Sequence, residues 1–446
     1  MTYTMARRLR GTGALQLTLA VCAMFSPIPG RAQPAARADT LRLDDLQRAG
    51  ERADRRGAQL TLTTAQSALR LQNLRSEQMP TVSAIWSAQY LSDVARIGAV
   101  LPGGNIPSPR NDQYDAYLSV RQSLLDPTRK SRTAVETAQT LEVQSRVRSA
   151  VWQQRAAVSD AFFGVVLRDA QIGSLDVAIR DLEVRINVAT RRVQSGVALP
   201  SEALLLRAEL ERRRQSRDEL TVERDASREV LSVLVGREIP SGITLGLHAT
   251  VATPALSPGT ADSVRARPEF AQFDRSRELI DARRSATLAQ DLPKLSAFGR
   301  TGYGRPGLNP LGRSFDAYWS AGVQFEWSAW NWGRTRRDAE AQTLQRDIVA
   351  SDEAAFRDNL RRAAIAERAR YTALERTLQF DDSIVVMREE ILRETRLRHD
   401  EGEVSSADYV SRLSEHLSAQ LDRDTHRVRL AESRARYLTT LGLEVR

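Results

Sequence analysis

The chain has 446 residues, with 63 arginines, only two lysines (Lys130 and Lys294), 56 acidic residues and a formal charge of +9. Acids and bases interleave along the same segments instead of gathering on one patch with stacking aromatics, so no nucleic-acid partner is expected and the charge reads as solvated helix surface. Apart from the N-terminal leader, no run reaches the 18 or so apolar residues of a membrane-spanning helix, so the rest of the chain can cross a membrane only as β-structure.

Residues 1–32 read as a secretory signal peptide: Arg7, Arg8 and Arg10, the apolar run Ala14–Phe25, and a small-residue exit at Gly30–Arg31–Ala32. The only cysteine, Cys22, falls inside this leader. It is either discarded or, following Leu19–Ala20–Val21, a lipid-attachment residue. Val21 stands where a small residue is the rule, which favours cleavage after Ala32. The mature chain then has no thiol and no disulfide.

The first structural repeat is expected over 33–240. A helical pattern over Leu41–Gln78 stops at Met79–Pro80. A strand over 81–91 follows, with Val82, Ala84, Trp86, Ala88 and Tyr90 on one face and Ser83, Ser87 and Gln89 on the other. Residues 96–112, rich in Pro and Gly, read as a loop. A second strand over 113–124 sets Tyr114, Ala116, Leu118 and Val120 against Asp115, Ser119 and Arg121. A helix over 128–195 then runs uninterrupted by proline, ends at Ser195–Gly196, and restarts at Pro200 for a helix over 201–235.

Within the long helix every seventh residue is β-branched: Val151, Val158, Val165, Ile172, Ile179, Ile186 and Val193. A seven-residue stripe on a 3.6-residue helix keeps one facing only by supercoiling against a partner, so this is a coiled-coil seam. At ~1.5 Å per residue the rod spans ~100 Å.

After a loose linker at 241–262 the programme repeats over 263–446. A helix ends at Leu292–Pro293, and strands follow over 294–303 and 315–327. In the second of these, Phe315, Ala317, Trp319, Ala321, Val323, Phe325 and Trp327 oppose Asp316, Tyr318, Ser320, Gln324 and Glu326. Helices over 334–401, with a stripe of Tyr371, Leu378, Val385 and Leu392, and over 407–441 complete the chain. Gly196 to Gly402 and Gly236 to Gly442 are both 206 residues, the mark of an internal duplication.

The fold class is α+β, mainly α. Four strands with one apolar and one polar face cannot close a lipid-embedded barrel, which begins at about eight strands, so several chains are required. Trp86, Tyr90, Phe315, Trp319, Val323, Phe325 and Trp327 are the expected lipid-facing side chains. A half-buried soluble sheet is the plainer reading of the same alternation, and the leader and the rod-length helices weigh against it.

The paired Pro-strand-loop-strand-helix segments resemble the TolC-like outer-membrane efflux protein family over about residues 41–443. The marks are Pro80 and Pro293, the junctions Leu124–Leu125–Asp126 and Trp330–Asn331–Trp332–Gly333–Arg334, and the turns Gly196–Val197–Ala198–Leu199–Pro200–Ser201–Glu202 and Gly402–Glu403–Val404–Ser405–Ser406–Ala407–Asp408. Pro127–Thr128 departs from the family, which usually has a glycine there. The resemblance implies a homotrimer in outer-membrane lipid, a twelve-stranded transmembrane barrel and a coiled-coil periplasmic tunnel. It also implies docking to a periplasmic adaptor and, through it, an inner-membrane pump. Gly196, Val197, Ala198, Leu199, Gly402, Glu403, Val404 and Ser405 correspond to the tips that contact the adaptor.

The same resemblance makes Asp408 a gate residue, with Glu202 at the equivalent place in the first repeat. Ser411 and Val404 stand where the family can place a second acidic ring and a basic partner. Asp408 is also readable as part of a helix-start capping box with Ser405. The implied function is a passive exit duct of a tripartite efflux pump or type I secretion system; the alternative is a periplasmic adaptor or coiled-coil scaffold. No catalytic constellation, cofactor motif or metal-ligand spacing is found, and His248, His399, His416 and His426 read as solvated.

Overall fold

A computed structural model describes residues 41–94, 109–243, 245–246, 266–310 and 312–444. The leader with Cys22, residues 95–108 of the expected loop and most of the 241–262 linker lie outside the described residues.

The helical pattern before Pro80 is broken at Asp54, whose extended backbone and side-chain acceptance from the Arg56 amide (2.8 Å) start a 3-10 turn over Arg55–Gly57. This divides the segment into α1 (Leu43–Ala53) and α2 (Ala58–Ser76). Strands β1 (Thr81–Tyr90) and β2 (Asp112–Leu125) follow, then α3 (Thr128–Trp152), α4 (Gln154–Gln194) and α5 (Pro200–Val235). The second half holds α6 (Pro268–Leu288), β3 (Lys294–Arg305), β4 (Asp316–Glu326), α7 (Arg334–Glu401) and α8 (Ser406–Thr440). The two halves also differ in their long helices, which sequence reading missed. α7 is a single helix of 68 residues, whereas the expected 128–195 rod is two, interrupted at Gln153. There the Ala156 amide bonds the Gln153 carbonyl at 3.2 Å, a tightened turn, and the chain changes neighbours: α3 lies on α2 and α6, α4 on α5, α1 and α8.

α4 packs against α5 and α8. Of the heptad residues it carries, Val158, Val165, Ile172 and Ile179 are buried and Ile186 and Val193 half-buried; Val151, also half-buried, falls in α3. Four such side chains contribute about 6–12 kcal/mol gross, an upper figure for a compact unfolded reference. One core joins Leu43 and Leu46 of α1 to Phe162 and Val165 of α4, Leu231 of α5 and Val428 of α8. A second, at the other end of α4, joins Leu182, Leu206, Leu392, Tyr409 and Leu413.

The four strands form one antiparallel sheet in the order β1-β2-β3-β4, leaving β1 and β4 as open edges. Its registers sort side chains into two faces. Rows Val82–Val120–Gly299–Ala321, Ala84–Leu118–Thr301–Trp319 and Trp86–Ala116–Tyr303–Ala317 make one; Ser83–Ser119–Arg300–Ser320, Ile85–Tyr117–Gly302–Tyr318 and Ser87–Asp115–Gly304–Asp316 make the other. Along β4 the alternation is visible in exposure, with Tyr318, Ser320 and Gly322 half-buried and their neighbours open. Trp86, Tyr90, Trp319, Val323 and Phe325 lie in strands, all exposed. Phe315 and Trp327 sit one residue beyond the ends of β4, where the ladder stops; Phe315 still stacks on Tyr303 (5.7 Å, 16°). Among the described residues no helix is long and apolar enough to cross a membrane.

Candidate functional site at the hairpin tips

Two turns, one in each half of the chain, close the α4–α5 and α7–α8 hairpins. Gly196 (φ 75°) and Gly402 (φ 84°) both take the left-handed conformation that terminates a helix without a Cβ penalty. In both, the next amide reaches back six-to-one: Val197 to the Arg192 carbonyl and Glu403 to the Arg398 carbonyl, each at 2.9 Å. Pro200 then opens α5, and Ser405 caps α8. The Ser405 Oγ accepts from the Asp408 amide at 3.2 Å and donates to Asp408 Oδ2 at 2.7 Å. Asp408 is therefore engaged in the capping box of its own helix, and it is exposed, as is Ser411. Glu202 instead is half-buried and turns toward the second hairpin, accepting from Ser406 Oγ at 3.2 Å. Val197 and Leu199 are 69% and 67% exposed at the first tip.

Behind the turns the two hairpins are latched together by residues that sequence reading passed over. Arg192 of α4 lies over the end of α7, donating to the His399 carbonyl at 2.9 Å, and a Cβ on Gly402 would collide with its guanidinium. That carbonyl already accepts from the Gly402 amide at 3.1 Å, so the arginine adds a second, charged donor at the negative end of the helix dipole. Arg185 of α4 pairs with Asp400, and Asp181 of α4 pairs with Arg396 at 2.9 Å. Tyr409 of α8, fully buried, donates its hydroxyl to Asp181; burial and that carboxylate push its ionisation up.

His399 is 2% exposed, stacked on Tyr409 at 5.2 Å and 28°, with Nε2 3.1 Å from Ser406 Oγ. Because that hydroxyl is spent on Glu202, the arrangement assigns the proton to Nε2, leaving Nδ1 buried without a partner. Desolvation holds the imidazole pKa below its ordinary 6.5, so the ring is neutral at pH 7. This corrects the reading of the histidines as solvated. His399 and His416 are buried and His426 pairs with Asp381 at 2.7 Å, while His248 lies outside the described residues. The signal was available for His399, which continues the stripe Tyr371, Leu378, Val385, Leu392 by one more heptad. Among the described residues no group of His, Cys, Asp and Glu is arranged to hold a metal ion.

No protein-family model and no curated protein matches the chain. Solved structures do. The channel CusC, whose structures follow folding and transmembrane channel formation, is 14% identical with a TM-score of 0.66, over 90% of this chain and 92% of its own. The Neisseria gonorrhoeae MtrE outer membrane channel in its open state is 18% identical, TM-score 0.64, over 90% and 89%. The outer membrane protein VceC from Vibrio cholerae is 12% identical, TM-score 0.64, over 90% and 96%. The chain thus has the fold of these outer-membrane channels across nearly its whole length.

Proposed function

We propose that this chain is the outer-membrane exit duct of a tripartite efflux or type I secretion assembly: a homotrimer whose three four-stranded sheets close a twelve-stranded barrel above a periplasmic helical tunnel. The observation that carries the reading is the two-faced sheet with both edges unpaired. In lipid each open edge leaves unsatisfied amides and carbonyls costing several kcal/mol apiece, and four strands cannot remove them by closing on themselves. Three copies joined β4 to β1 can, with the Trp86, Trp319 and Tyr303 face in lipid and the Asp115, Tyr318 and Arg300 face in water. Leu344, Ile348, Ile365, Phe380, Val386 and Met387, all exposed along α7, support the same assembly, since a helix this long needs an apolar neighbour on that side.

The tips are the adaptor-facing end, where Val197 and Leu199 offer apolar contacts, and Asp408, Glu202 and Ser411 belong to the gate region. An inner-membrane pump then supplies the cargo through the adaptor. Fractionation tests the reading. The expected result is a detergent-extracted outer-membrane trimer that conducts ions in planar bilayers; a soluble periplasmic monomer would instead assign the chain to the adaptor or scaffold class.

A further inference from the structure

The polar face of the sheet carries its charges in layers. Nearest the helices, Lys294 stands opposite Glu326, a pair of opposite sign. At the far end Asp115 and Asp316 flank Gly304, and Asp115 accepts from the Tyr318 hydroxyl at 2.5 Å. Between them lie Arg121 and Arg300. Arg121 is in register with Phe298, and Arg300, two residues on, with Ser119. The two guanidiniums therefore occupy diagonal positions on adjacent strands, about 7–8 Å apart at the backbone. Both are exposed on this face, and among the described residues neither is in an ion pair.

Arg300 is nonetheless held in place. Its Nε donates to Ser320 Oγ at 3.0 Å, and its guanidinium carbon lies 5.9 Å from the Tyr117 ring and 5.8 Å from the Tyr318 ring. Those rings lean over Gly302, where an added Cβ would meet Tyr117 Cβ at 2.5 Å and Tyr318 Cζ at 3.0 Å. The bare backbone at Gly302 lets the two tyrosines close over the wall beside the arginine. Neighbouring like charges on a sheet face destabilise it, while every other charged position of this face is next to an opposite charge or spent on a hydroxyl. An uncompensated, pre-organised pair in mid-wall is what binding a passing anion needs.

We propose that Arg121 and Arg300 form a cationic band in the middle of the barrel lumen that binds anionic solutes on their way out. This rests on the duct reading above. Two guanidiniums per chain place six around the axis of a trimer, on the helix side of the acidic rim of Asp115 and Asp316 and far from the helical tips.

The test is block of single-channel current by inorganic tripolyphosphate added on the barrel side of a planar bilayer. The wild-type pore should be blocked, and R121Q/R300Q should raise the half-blocking concentration by about tenfold or more. R121K/R300K, which keeps the charge, should stay within about threefold of wild type. Single R121Q and R300Q substitutions should each give part of the shift, and they serve if the double variant does not assemble. A wild-type pore indifferent to tripolyphosphate, or glutamine variants that conduct normally and are blocked at the wild-type concentration, overturns the band and leaves the duct standing. A purified wild-type trimer that forms no pore overturns the duct reading, and the band with it.

Discussion

Replacing Tyr409 by Phe isolates one link of the latch between the hairpins. The aromatic ring, its burial and its stack on His399 are kept; only the hydroxyl that α8 gives to Asp181 of α4 is lost. Hydrogen bonds to a charged partner contribute about 1.5–3 kcal/mol. Asp181 is not orphaned by the change, because Arg396 remains 2.9 Å away, so the lower end applies. About 1.5 kcal/mol shifts an equilibrium between joined and separated tips about tenfold toward separation. In planar bilayers the expected result is a rise of about tenfold in the open fraction at low voltage, with unchanged conductance of the fully open pore. Asp181→Asn should move in the same direction and further, since it also weakens the Arg396 and Arg185 pairs. Open fractions equal to wild type in both variants would refute the idea that these contacts hold the tips.

Three further outcomes are expected. His399 has a pKa below that of an unfolded histidine, so the unfolded or separated state binds more protons in acid; latch stability is complete above pH 6.5 and falls as pH drops below it. Arg185 and Arg192 add to this depression while Asp400 and Glu202 oppose it, and the open fraction should rise on acidification from pH 7.5 to 5, a rise that H399F should flatten. On the sheet, Ala321→Arg on the apolar face should cost about 2–4 kcal/mol in refolding into vesicles, and Ser320→Arg on the polar face little; equal costs would remove the assignment of faces. At the tip, Asp408→Asn should lower cation selectivity if the residue lines the gate; an unchanged selectivity with a stability loss of about 0.5–2 kcal/mol confines it to the capping box that Ser405 completes.

The elements whose cause is local were legible in the sequence. Gly196 and Gly402 end helices because only glycine enters that conformation cheaply, and Gly236 and Gly442, at equal spacing from them, take the same conformation. Strand faces followed from period-two alternation, and the structure keeps the same partition residue by residue. What escaped depends on neighbours distant in sequence. The interruption at Gln153 arises where the rod leaves α2 and α6 for α5 and α8, a change of partner with no proline or glycine to announce it. The latch pairs Arg192 with His399, Arg185 with Asp400 and Tyr409 with Asp181, and only the packing of hairpin on hairpin reveals them. His399 was readable in part: its heptad position predicts burial, but its chemistry depends on Ser406 and Glu202.

In the proposed barrel the open edges β1 and β4 of different copies meet. Cysteine at Ala84 of β1, combined in turn with cysteine at Ala317, Trp319, Ala321 or Val323 of β4, tests it by oxidative cross-linking in intact outer membranes. At least one pairing should yield a covalent trimer on a non-reducing denaturing gel, and cysteine at Ser320 or Gly322, which face the other way, should yield none. Absence of cross-linked trimer at every register, with both single-cysteine proteins present in the membrane, would contradict it.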